Sequence, residues 1–143
     1  MTSHYDDTIT QPLTSDALVE ERITSLIGRA NRRQLWFLFL DENGYQLPLI
    51  MPFGDPPLRP DRSVSSLAQI IGNAVDDEGA HSVIVVLERY ADSTITDADR
   101  SWARCISDKL QAIEVPVRAI LISHRKGVRW LAQDDYRFGA TVP

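Results

Sequence analysis

The seven residues from His81 to Leu87, "HSVIVVL", limit the fold of this chain more than any other stretch. From Val83 onward no polar residue interrupts the run, and four successive residues are β-branched, so neither a helical stripe nor a strict alternation marks one side as wet. So short and uniformly apolar a segment reads as a strand buried on both faces. Such a strand needs cover on each side of its sheet, which predicts an α/β (α+β) fold, a mixed β-sheet flanked by helices.

The flanking sequence supplies that cover. From Thr14, the residues Leu18, Val19, Ile23, Leu26, Ile27 and Ala30 recur at spacings of three and four, the mark of one apolar helix face. "QLWFLFL" (34–40), "DENG" and "YQLPLI" (45–50) predict a β-hairpin that turns near Gly44. Pro48 has no N–H for a ladder, so the second strand belongs at a sheet edge or bulge. Beyond the proline-rich loop "MPFGDPPLRPDRS" (51–63), Ser63 is the expected cap of a helix bearing Val64, Leu67, Ile70, Ile71, Ala74 and Val75, with Gly79 at its end. A third helix is expected from Asp97 to Ile113, then strands at 116–123 and 127–132 around "HRKG". The predicted order is helix, hairpin, helix, strand, helix, hairpin, with the second and third helices joining neighbouring strands. One domain, residues 14–135, follows from 143 residues, and 1–13 and 136–143 read as tails.

Charge narrows the partners. A formal net charge of -5 argues against wholesale nucleic-acid binding. The balance is uneven, because residues 100–143 hold 8 basic and 4 acidic side chains, so a local basic face is compatible with the acidic total. Cys105, the single cysteine, excludes an intrachain disulfide and falls on an apolar helical pattern, where a buried structural thiol is expected. No basic and apolar leader opens the sequence and no run reaches the length of a membrane span, so a cytoplasmic protein is expected.

The stretches "LWFLFLDENGYQL", "AHSVIVVL" and "STITDADRSWARCISDKLQAIEVPVRAILIS" together resemble the JAB/MPN domain, and within it the bacterial RadC-like branch, over residues 34–132. The family's enzymes hold zinc with an H-x-H-P stretch and an aspartate three residues after a Ser or Thr at a helix start. Carried over residue by residue, the resemblance puts Asp99 at the metal aspartate and Thr96 at the hydroxyl residue. The histidine positions fall on Val86 and Glu88, and the proline on Arg89. Valine cannot coordinate, and His81 and His124 lie outside the stretch. Where the family's general base would stand, the chain has Arg32, Arg33 and Gln34. The zinc motif is thus degenerate, and a zinc hydrolase needs three protein ligands and an open position. The resemblance then implies a pseudoenzyme without metal or cofactor, a module for protein–protein interaction or scaffolding.

Three groups of residues are candidates for a site. Glu88, Arg89 and Asp92 in "LERYADST", together with the proline-rich loop 52–61, form the expected protein-binding face. Thr96, Asp97 and Asp99 read as a helix cap. The same acids with Glu88 and Asp92 are also the oxygen donors of an alternative, a magnesium-dependent hydrolase with Asp99 as its weak metal candidate. Finally, Arg118, His124, Arg125, Lys126, Arg129 and Trp130 combine charge and aromatic surface suited to nucleic acid or a phosphate ligand. Solvated charges at a hairpin tip, which keep the edge from pairing with other chains, are the favoured account of them. A homodimer is compatible with each reading.

Overall fold

The computed structural model describes residues 11–137. Its five strands are β1 (Gln34–Leu40), β2 (Gln46–Gly54), β3 (Ser82–Glu88), β4 (Val117–His124) and β5 (Gly127–Trp130), in the spatial order β2-β1-β3-β4-β5. β3, the "SVIVVL" strand, lies at the centre, antiparallel to β1 and parallel to β4, and all seven of its residues are buried. The outer pairs β1/β2 and β4/β5 are antiparallel. The chain is therefore the mixed α/β sheet that its central run requires.

Alternation along β3 sends its side chains into two separate cores. Val83, Val85 and Leu87 pack with Phe37, Ile71, Ile106 and Leu110 beneath α2 (Ser63–Glu78) and α3 (Asp97–Ala112). Ile84 and Val86 pack with Leu38, Leu121, Val19 and Ile23 beneath α1 (Asp16–Leu26). Each fully buried aliphatic or aromatic side chain contributes about 1.5–3 kcal/mol, so both cores favour the same register. β2 is an edge strand, and its pairing with β1 shifts register between Leu38 and Leu40, in keeping with its prolines.

Several local features differ from the sequence-based expectation. Only α3 joins neighbouring strands; α2 carries the chain from edge strand β2 over β1 to β3. Ser63 is inside α2, whose N-cap is Arg62, and the Asp61 carboxylate takes the Ser63 N–H and hydroxyl instead. Ile70, counted in the apolar stripe, is 45% exposed, and Ala68 packs in its place. Arg22, invisible to a search for apolar spacing, is buried on α1 and donates to Gln46 Oε1 at 2.6 Å and to the Gln11 carbonyl at 2.9 Å.

The packed domain also reaches further at both ends than residues 14 and 135. Leu13 is buried and donates to the Gly44 carbonyl, and a short helix α4 (Gln133–Arg137) buries Tyr136. The remainder of the two predicted tails, 1–10 and 138–143, lies outside the described residues. β5 is shorter than expected, ending at Trp130.

Candidate functional site at the strand ends

Strand directions bring most of the candidates to one end of the sheet. Gln34 at the start of β1 pairs with Glu88 at the end of β3 and with Gly54 at the end of β2, while Ser123 of β4 lies opposite Glu88. The loop 27–33, the proline-rich loop, the loop 89–96 and the hairpin tip at 124–127 therefore converge.

Backbone bonds fasten three of these loops together. The Ala30 N–H donates to the His124 carbonyl at 2.7 Å, and the Arg125 N–H to the Ala91 carbonyl at 2.9 Å. Arg129 adds a third tie, from Nη1 to the Ser93 carbonyl at 3.0 Å. The acidic loop and the basic hairpin, far apart in sequence, are one surface.

Beneath that surface the charged groups bind one another. Arg89 is buried and forks onto Asp99, with Nε to Oδ1 at 3.0 Å and Nη2 to Oδ2 at 2.9 Å. Its remaining donors reach the Asp92 and Thr94 carbonyls, both at 2.8 Å. Asp99 Oδ2 also accepts the Thr96 N–H at 2.9 Å, and Thr96 Oγ1 accepts the Asp99 N–H, so the helix start is a capping box. Burial pushes the Asp99 carboxyl up, but the Arg89 guanidinium and the Thr96 N–H outweigh it and hold the group below its ordinary range.

Glu88 faces the other side of the sheet. It accepts the Asn31 N–H at 2.7 Å, the Arg32 N–H at 3.3 Å and the Trp36 indole N–H at 2.8 Å. Asp97 pairs with Arg100, and Asp92 accepts the Thr94 N–H. The four acids of the magnesium alternative thus turn to separate partners, and no group of three or more His, Cys, Asp or Glu able to hold a metal ion occurs among the described residues.

The zinc positions diverge for the same reason. Val86 packs in the core under α1, and Glu88 binds Trp36, while Asp99 belongs to α3 on the opposite face. The residues present do not fit the metal that the resemblance would require.

The proline-rich loop closes the remaining crevice. Arg33 donates to the Pro56 and Pro57 carbonyls at 2.8 Å, and the Trp102 indole donates to the Pro57 carbonyl at 2.9 Å. Between Arg33, Arg89, Asp99 and Trp102 a volume of only about 10 Å³ is left. Trp102 is buried on α3 as its spacing predicts, and its N–H has found acceptors. Cys105 is only partly buried, and burial pushes its thiol up.

What remains at the surface is Tyr90, 69% exposed, with Asp92, Arg125 and Lys126. Arg29 and Arg32, also exposed, flank the loop bonds to His124 and Glu88 and enlarge the basic part of this face. The run "GRANRR" between a helix and a strand is the signal for them in the sequence. Burial and the nearby charges of Arg89 and Arg129 hold His124 below its ordinary range, so it is mostly neutral near pH 7. Two expected members are missing from the face. Arg118 is at the far end of β4, 3.2 Å from Asp16, and Trp130 is at the far end of β5.

No protein-family model matches this chain, and no curated protein matches it. No described helix is long and apolar enough to cross a membrane.

Proposed function

We propose that this chain is a non-catalytic binding module, JAB/MPN-like and RadC-like in its sequence pattern, that acts in protein–protein interaction through its strand-end face. The closure of the crevice at Asp99 carries this reading: about 10 Å³ is the room of roughly one water molecule. A hydrolase needs the reverse, an open position beside a group free to move a proton. Here a guanidinium occupies both oxygens of the carboxylate that the family gives to its metal. The exposed remainder is recognition material, since Tyr90 is 69% exposed on a face that also carries exposed arginines, and tyrosine and arginine are the common anchors of protein interfaces.

Thermal unfolding of chelator-treated protein with zinc, magnesium or manganese tests the proposal. The midpoint is expected to stay fixed with each metal. Saturation at 100 times a dissociation constant would stabilise the fold by about 2.7 kcal/mol, and such a shift, lost in Asp99→Ala, overturns the non-catalytic reading.

The basic enlargement of the face favours one second reading, binding of nucleic acid or a phosphate ligand. Anisotropy of labelled oligothymidylate measured at about 50 and 200 mM salt separates the two. Salt-sensitive binding abolished by charge reversal at Arg125 and Lys126 would establish the second reading over the first.

A further inference from the structure

A much larger cavity, of about 660 Å³, opens at the other end of β4, lined by α3, α4 and the start of α1. It lies within the range of ordinary ligand sites, and no residue of the strand-end face lines it, whereas Arg118 and Trp130, the two that the face lacks, both do. β4 has eight residues and β5 only four, pairing from Leu121 to His124. The Leu131 N–H adds one bond to the Ile120 carbonyl, and then the chain turns into α4. Along Val117–Ala119 the strand has, among the described residues, a neighbour on the β3 side and a cavity on the other.

Three kinds of polar group on that lining are open to a ligand. Trp36 and Trp102 donate their indole N–H to protein acceptors, whereas Trp130 has none among the described residues. Gln111 and Gln133 place exposed side-chain amides on the rim. Glu114 brings a carboxylate that makes no ion pair among the described residues, since the Arg118 guanidinium is held by Asp16.

Glu114 also stands where a glycine is favoured. It has φ 61°, and the bonds from Glu114 N–H to the Gln111 carbonyl and from Val115 N–H to the Leu110 carbonyl make it the left-handed residue that ends α3. A non-glycine residue is disfavoured there, so local helix geometry does not account for the carboxylate.

We infer that this cavity is a binding site for an extended peptide segment carrying a lysine or arginine, laid along β4 where β5 stops. An extended chain matches the half-paired strand, and its carbonyls match the Trp130 and glutamine donors. Its cation meets Glu114. α4 and the end of α3 flank the edge, so a single slender segment fits where the edge of a second folded sheet does not.

The test is an NMR titration of the full chain with an acetylated, amidated heptapeptide alternating valine and lysine, beside the same peptide with glutamate in place of lysine. The lysine peptide is expected to shift the Val117–Ala119 amides and the Trp130 indole N–H, leaving Tyr90 and Arg125 unmoved. Glu114→Gly is expected to weaken binding about three- to tenfold while raising the midpoint of thermal unfolding, an opposition that a merely structural role for Glu114 does not produce.

Equal binding of the two peptides overturns the inference, as does unchanged affinity in Glu114→Gly or absence of shifts at millimolar peptide. Shifts confined to Tyr90 and Arg125 overturn it as well, while supporting the strand-end face. Amides of Val117–Ala119 that already exchange as slowly as those of Leu121–Ser123 in the free protein would mean that the edge is already covered, and would also overturn it.

Discussion

The two ends of β4 treat polar groups in opposite ways. At its C-terminal end, Glu88, Arg89 and Asp99 are buried and each is bound by several protein groups, and the crevice among them is closed. At its N-terminal end, Glu114, Gln111 and the Trp130 indole border an open cavity, and the strand is paired on one side. A dense cluster of charged residues is thus no guide to where a ligand fits. Charges that satisfy one another are part of the framework, and room for a ligand lies where exposed polar groups border open space.

Variants at the two ends should separate in size and in sign. Arg89→Met leaves Asp99 buried without its cation and is expected to cost about 3–5 kcal/mol in denaturant unfolding, of which Arg89→Met with Asp99→Leu recovers a large part. A loss below about 1 kcal/mol would remove the contrast between the two ends. Glu88→Gln can keep an acceptor for the Asn31 and Arg32 N–H groups but then sets an amide N–H against the Trp36 indole. A loss of about 1–3 kcal/mol is expected, with altered Trp36 fluorescence.

Acid should act on the closed end. Because the folded Asp99 carboxyl lies below its unfolded value of about 3.9, its contribution is complete above that pH and is lost as pH falls through the folded value. Asp99→Asn is expected to flatten the fall in stability below pH ~4, measured by denaturant unfolding at successive pH values. Asp61 and Asp92 are shifted in the same direction and keep their part of the slope in that variant.

Smaller effects refine the comparison. Thr96→Ala removes one half of the capping box at about 1 kcal/mol, read from the same unfolding curves. Glu114→Gly, at the open end, should have the smallest effect and the opposite sign, a gain of a few tenths to about 1 kcal/mol.

Much of the framework is legible in the sequence because apolar periodicity and strand composition report burial directly. β3, the Gly44 turn, the Gly79 helix end with φ 67° and the Thr96 cap all have such local signals. The site is less legible, since its bonds run across long separations. Nothing near Glu88 in the chain points to Asn31, 57 residues away, and nothing near Arg118 points to Asp16, which removes it from the basic hairpin. The extent of β5 is equally hidden, because "GVRWLA" stays apolar beyond Trp130 while the chain leaves the sheet to bury Leu131 against α3 and Tyr136. Glu114 carries no sequence signal of its left-handed backbone, as glutamate is an ordinary helix former.

The place of β1 in the sheet sets a condition on synthesis. β1 and β2 leave the ribosome as a hairpin whose apolar strand "QLWFLFL" must wait for β3 before its second edge is paired. At about 5–20 residues per second, the 34 residues from Gly54 to Glu88 take roughly two to seven seconds. During that interval Pro48 and Pro52 protect the outer strand of the nascent hairpin, since each denies a hydrogen bond to any foreign strand that approaches it. The prolines that shape a finished edge are in this sense also the guards of an unfinished one.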